Sequence, residues 1–184
     1  MSVYFAFQGA FLFALSHIVI RKGLVGSNAA TGTVVSVIVS AVLLWVVTPI
    51  FVPLSSFWTP AFWYFVVGGI FAPALGRFMT FKAIERIGVA RAVPITNTAP
   101  MFSSILAMFV VGETWPPQNI LGTTLVILGV IFISRTQTAT SQWRKVDLVY
   151  PALAAFSFGM SSNLRKLGLL ITSIPLMAST VSAT

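Results

Sequence analysis

Apolar positions along this chain come in long blocks, with no sustained alternation of the kind that marks a half-buried strand. The blocks cover residues 4–20, 30–52, 60–81, 92–111, 119–134 and 147–164, and a seventh runs from 168 to 184. A bilayer core about 30 Å thick asks for roughly 20 apolar residues per helix, so six complete spans and one partial span are predicted. The fifth is short and crosses only with little tilt or in a thinned bilayer. Helices are expected because every backbone N–H and C=O must be satisfied within the segment when lipid surrounds it. The connections "GLVGSN", "VPLSSFWTP" and "GETWPPQ" are short and rich in turn residues, and "RTQTATSQW" is the one polar linker.

Composition turns that pattern into a class. Of the 184 residues 57% are hydrophobic and 8% charged, against roughly 25% charged in soluble domains. The charges are too few to clothe a water-facing surface, so the fold class is an all-α, polytopic transmembrane helical bundle with the lipid bilayer as its solvent. The chain has no cysteine, one histidine and three acids (Glu85, Glu113 and Asp147), which leaves no basis for a disulfide, a metal site, a bound cofactor or a catalytic carboxylate pair. An enzyme is not expected. The net charge of +8 does not point to nucleic acid, because the basic residues form no run or stripe and fall at the ends of apolar segments, where topology explains them. The N-terminal segment lacks the basic region and cleavage site of a signal peptide and is read as a retained span.

Small residues recur at i, i+4: Gly68, Ala72 and Gly76 in the third span, Ala99, Ser103 and Ala107 in the fourth, Ala155 and Gly159 in the sixth. Such stripes let helices approach closely in lipid. A longer-range pattern is an internal repeat. An offset of 144 puts Arg21 on Arg165, Lys22 on Lys166 and Ala10 on Ala154, and Ser/Thr/Ala-rich helix starts follow at Asn28 and Thr172. The sixth span then opens a second copy of spans one to five. Five is odd, so the copies lie upside down relative to each other, an architecture common among secondary transporters. The expected organisation is a five-helix repeat over 1–135, a linker at 136–146 and the truncated start of a second repeat at 147–184. The connections after spans one, three and five carry eight Lys/Arg, and the N-terminus and the connections after spans two and four carry none. By the positive-inside rule the N-terminus lies outside. Arg165 and Lys166 then fall on the wrong side for a topology signal, so one of the two Arg-Lys pairs is expected to line a polar cavity or bind lipid phosphate, unless a late span simply tolerates it.

Residues 76–134 carry "KAIERIGVARA", Pro94 and Pro100, "GET" and "QNILGT" ahead of a glycine-bearing apolar run. With the basic end of the first span, this stretch resembles the EamA-type repeat of the drug/metabolite transporter superfamily. The resemblance covers residues 4–134 as one repeat and 147–184 as the start of the next. It implies a ten-span carrier of small metabolites or toxic organic compounds in the prokaryotic plasma (inner) membrane, and with it that three and a half helices are missing here. It also implies cytoplasmic termini, contrary to the charge asymmetry, which is followed here. The rival function is a non-transporting membrane subunit, or a fragment, that needs a partner for the missing helices. Substrate identity, direction, coupling ion and self-association into a homo-oligomer stay open.

Candidates for the substrate pathway are polar groups that sit inside spans, where an ionisable side chain costs roughly 2.5–3.5 kcal/mol on insertion scales. Arg77 is deepest, with snorkelling to the span end as its ordinary alternative. Ala10, Ala14, His17 and Arg21 share one face of the first helix, and His17 can carry protons near neutral pH, though a packed or hydrated histidine is commoner. Asn97 lies between Pro94 and Pro100, which leave backbone carbonyls free. In the sixth span Ser157, Ser161 and Arg165 share one face, with Asn163 nearby, an echo of the His17–Arg21 face with packing as the rival reading. Glu85 is expected to pair with Lys82 three residues earlier, Glu113 to sit at the start of the fifth helix, and Trp58, Trp63, Tyr64, Trp115, Trp143 and Tyr150 to form an interfacial belt.

Overall fold

Long apolar runs and a backbone that must bond to itself produce helices, and helices are what the computed structural model contains. It describes residues 2–53, 57–110 and 144–183, with positions 118, 121, 122, 124, 125, 128, 129 and 132 of the segment between. The expected fifth span, Glu113 and most of the linker therefore lie outside the described residues. Helix α1 is Ser2–Leu24 and α2 is Ala29–Phe51; α3 runs through Ala61–Gly69, a π-helical stretch Ile70–Gly76, and Arg77–Ile87. Then come α4 (Val89–Thr96), α5 (Ala99–Val110), a 3₁₀ turn Lys145–Leu148, α6 (Val149–Ile171) and α7 (Pro175–Ala183). No strand occurs among the described residues. Among the described residues three stretches, Ala29–Phe51, Ala61–Ile87 and Val89–Phe109, are long and apolar enough to cross a membrane.

Several boundaries depart from the expected spans, each for a local reason. The third helix does not stop at residue 81 but runs to Ile87, because Lys82 and Glu85 pair at 3.1 Å on its surface and let the charged turn stay helical. The expected Lys82–Arg91 connection shrinks to Gly88 alone. Gly88 adopts φ +81°, ψ 163°, a region that only glycine enters cheaply, and so turns the chain from α3 into α4 in one residue. Within α3, Pro73 cannot donate to the preceding turn, and the helix widens around it into π geometry. The fourth span breaks at Asn97–Thr98, where Thr98 N donates to Ile95 O at 3.0 Å and Met101 N to Thr98 O at 2.9 Å in tightened i−3 contacts, next to the missing donor of Pro100. The sixth span is longer than expected: α6 continues to Ile171, so Arg165 and Lys166 lie inside it, whereas Arg21 and Lys22 occupy the last turn of α1. The seventh block consequently divides between the end of α6 and α7, which starts on Pro175, a residue suited to the first helical position.

The packing is inverted relative to a soluble domain. Large apolar side chains face outward: Phe7 is 75% exposed, Val46 65% and Phe51 73%. Much of the interior is small or polar, with Ala61, Ala83, Ala154, Ala155, Thr48, Thr180, Ser157 and Asn163 all buried beside a few large side chains such as Phe65, Ile84 and Met177. That distribution suits a chain whose surface faces hydrocarbon. α6 is the central element and packs on α5, α3 and α4. The expected small-residue stripes lie in these seams: a Cβ on Gly159 would stand 2.8 Å from Ser103 N, and one on Gly68 3.5 Å from Ser161 Oγ. α7 closes against α3, where Gly69 meets the Ser182 backbone, and against α2, where Thr48 and Thr180 hydroxyls bond. By contrast α1 is nearly bare; of its described side chains only His17 is buried, with Ile20 and Leu24 half-buried.

Candidate functional site

α2 supplies the polar side of the site. Its inward stripe is Ala29, Thr33, Ser36, Ser40, Leu44 and Thr48, spaced three or four residues apart and buried or half-buried, with Val and Ile on the outer face. Two of these hydroxyls bond their own helix: Thr33 Oγ1 donates to Ala29 O at 2.7 Å and Ser40 Oγ to Ser36 O at 2.8 Å. With its hydrogen committed, the Ser40 oxygen is left as an acceptor. Arg77 of α3 uses it: Nη1 donates to Ser40 Oγ at 3.3 Å and to Ser36 Oγ at 3.0 Å.

Further along α3, Phe81 and Ile84 continue the face that carries Arg77, at i+4 and i+7. Phe81 packs on Gly32 of α2, and Ile84 O accepts from Arg21 Nη1 at 3.2 Å and from Gly88 N at 3.1 Å. The two guanidinium-bearing contacts thus sit about 10 Å apart along one helix, at 1.5 Å per residue. A cleft of about 430 Å³ opens between α1 and α2 beside this strip. Its walls include Ile20 and Leu24 of α1, Ser27 of the connection, the hydroxyl-bearing Thr31, Ser36 and Ser40 of α2, and Phe81. The volume is in the usual range for small-molecule pockets.

The remaining candidates sit elsewhere. His17, one turn before Arg21 on α1, is buried, donates Nδ1 to Phe13 O at 2.9 Å and meets the Phe13 ring edge-on at 4.5 Å. Asn97 is exposed at the α4–α5 break, its N–H donating to Val93 O at 2.9 Å. Ser161 and Asn163 are buried in helix seams. Ser161 Oγ donates to Gly68 O at 2.7 Å, the carbonyl that a π-register N–H at position 73 would take and Pro73 cannot. Asn163 Nδ2 donates to Ser103 O at 2.9 Å and Gly159 O at 3.0 Å, joining α6 to α5. Arg165 is exposed and donates to Ser179 Oγ of α7 at 2.9 Å. So Arg77 bonds two serines of the cleft wall and Arg21 bonds the same helix, α3, at Ile84, while Ser161, Asn163 and Arg165 link α6 to its neighbours.

Three features escaped the sequence reading. The α2 stripe was legible as Ser/Thr at helical spacing but was masked by the surrounding valines. Arg91, assigned to a connection, is buried on α4; only knowing that Gly88 alone forms the corner would have placed it. Ser157 is 1% exposed and its hydroxyl has no hydrogen-bond partner among the described residues, which sequence cannot reveal. Among the described residues no group of His, Cys, Asp and Glu could hold a metal ion.

A family model, the EamA-like transporter family, matches residues 1–135. The chain belongs to the EamA-like transporter family. The expected resemblance and the helical membrane bundle are therefore borne out, and all the described residues of the α1–α2–α3 cleft lie in the matched part. Among curated proteins, an uncharacterized transporter of Bacillus subtilis (strain 168), YwfM, is 32% identical over 66 residues, a stretch covering 36% of this chain and 22% of that protein. No solved structure matches the chain.

Proposed function

We infer that this EamA-like chain acts in the transport of a small organic compound across a membrane by alternating access, with the α1–α2–α3 cleft as part of the route. One observation carries the reading beyond family membership: Arg77 stands in a span, and among the described residues its hydrogen-bond partners are serine hydroxyls of the neighbouring α2. Side chains that cost this much in lipid are kept where water or substrate reaches them. α1 and α6 are both 23 residues long and both are followed by a short break and a new helix, which supports the inverted duplication. On that arrangement α6 seats on the first repeat, and α1 would seat on the second in the same way. Rocking of one repeat against the other would open the cleft to either side. The plasma membrane of a prokaryote is the proposed location.

The test is substrate-dependent flux in proteoliposomes over a broad panel of metabolites and drugs. No flux of any compound by the intact gene product would remove the carrier reading. Alanine at Arg77 or Arg21 then separates route from packing: lost flux at normal membrane abundance marks a route residue, and lost abundance marks a packing one. The bare α1 face favours a second reading, a non-transporting subunit whose partner covers α1. Stable co-purification of a partner, with no flux in its presence, is the result that would favour it.

A further inference from the structure

We propose that the α1–α2–α3 cleft binds the anionic oxygen group, carboxylate or phosphate, of an amphiphilic organic molecule, with Arg77 and Ser36 as the groups that hold it. The inference deepens the transport reading by naming the substrate class, and rests on that reading only for whether the bound molecule is moved.

The chemistry is one of unmet demand. Arg77 Nη1 spends its hydrogens on Ser36 and Ser40, and among the described residues its Nη2 and Nε donors have no partner. Hydroxyl oxygens accept hydrogen bonds but cannot neutralise a charge. The chain has three acids. Of these, Glu85 is held by Lys82 at 3.1 Å and Asp147 accepts from Arg144 N at 2.9 Å, ahead of α6; Glu113 lies outside the described residues. Ser36 Oγ accepts from Arg77 and keeps its own hydrogen uncommitted, so it can donate to the same anion that the guanidinium attracts. Ser40 cannot, since its hydrogen goes to Ser36 O. Arg21, at the other end of the strip, adds positive potential without itself reaching the same point, being bonded to Ile84 O. An anion entering here meets Ser36 and Ser40 of the cleft wall, with the Arg77 guanidinium bonded to both. Val19, Ile20, Val35, Val39 and Phe81 give the wall an apolar part that suits a hydrocarbon or aromatic body behind the acidic head.

A binding measurement on the purified full chain in phosphatidylcholine nanodiscs tests this without requiring transport. Radiolabelled octanoate is the probe, with empty nanodiscs subtracted, and octyl phosphate, octanol and octyltrimethylammonium compete. Saturable octanoate binding, displaced by octyl phosphate but by neither octanol nor the ammonium, is expected. Arg77→Gln should weaken it about ten- to a hundredfold, the range for losing a charge-assisted hydrogen bond, and Ser36→Ala a few-fold. Doping the nanodiscs with phosphatidylglycerol identifies the source: displacement of octanoate marks a lipid headgroup as the natural anion, and no displacement marks a soluble acid. Equal competition by octanol or by the ammonium overturns the proposal, as does wild-type affinity in Arg77→Gln. If Arg77→Gln does not fold, the competitor series on the unaltered protein decides alone. Intact anion binding without flux would remove the transport reading and leave this one standing.

Discussion

Gly159→Ala is the sharpest test of how the bundle is held together. The added Cβ would lie 2.8 Å from Ser103 N, 2.9 Å from Phe102 Cβ and 3.1 Å from Phe102 C. Carbon contacts settle at about 3.5–4.0 Å, and two of these three atoms are backbone that cannot rotate away, so α5 and α6 must part by close to 1 Å. Overpacking of this kind costs about 1–3 kcal/mol. The same movement stretches the Asn163 Nδ2–Ser103 O bond of 2.9 Å past useful length, losing about 0.6 and at most about 1.7 kcal/mol. Replacing glycine in a helix returns up to about 1 kcal/mol. The net expectation is a loss of roughly 0.6–4.7 kcal/mol. The assay is equilibrium unfolding in mixed micelles at rising dodecyl sulfate fraction, followed by tryptophan fluorescence. Gly9→Ala on α1 is the control, because nothing lies within 4 Å of its Cβ, and it should be neutral or slightly stabilising. Indistinguishable midpoints for the two variants would refute the claim that α6 seats on α5 through this glycine.

Three further outcomes follow from the same contacts. Ser161→Ala should destabilise by about 1 kcal/mol while Pro73 is present and by less in Pro73→Ala, where a restored N–H can serve Gly68 O; a double-mutant cycle with no coupling counts against this account of the π segment. Gly88→Ala should cost about 1–3 kcal/mol, since its backbone lies in a glycine-only region and the new Cβ would meet Arg21 Nη1 at 2.8 Å; an unchanged unfolding midpoint would dispose of the one-residue corner. Val25, 80% exposed just after α1, and Ser173, exposed just after α6, are suited to single-cysteine labelling in a chain that has no cysteine. Inverted repeats require Val25→Cys and Ser173→Cys to react from opposite faces of the membrane, and reaction from the same face would end that arrangement.

The fold class was readable from block length and charge scarcity, since lipid leaves the backbone few options. Helix ends were less readable, for reasons that differ from case to case. At residues 82–87 charge was taken as a sign of chain leaving the membrane, yet the Lys82–Glu85 pair allows one and a half more helical turns. At 165–166 the same sign misled again, because Arg165 bonds Ser179 of α7 and so stays within the packed helix. Pro73 carries no signal of its own for a π stretch. The widening depends on α6 arriving with Ser161 to satisfy Gly68 O, a contact 93 positions distant in sequence. Small-residue stripes translated well, because a missing side chain has one main use between helices in lipid.

Site residues were legible by type and illegible by role, and Arg21 and Arg77 show why. Both are arginines near the edge of an apolar run, and spacing alone treats them alike. Arg21 reaches the last turn of α3, where carbonyls lack intrahelical partners and the helix dipole is negative. Ile84 O already takes Gly88 N at 3.1 Å but lies at this negative end, so the local field favours a cation and the side chain has a structural occupation. Arg77 sits ten residues before the end of α3, away from that field, against hydroxyls whose own hydrogen-bonding capacity is partly used. The charge that costs more to keep, and has less local reason to be there, is Arg77. Loss of anion binding in Arg77→Gln with binding kept in Arg21→Gln would follow from this difference in surroundings. The opposite result would mean that the polar stripe of α2 serves packing and that ligand contact lies at the Gly88 corner.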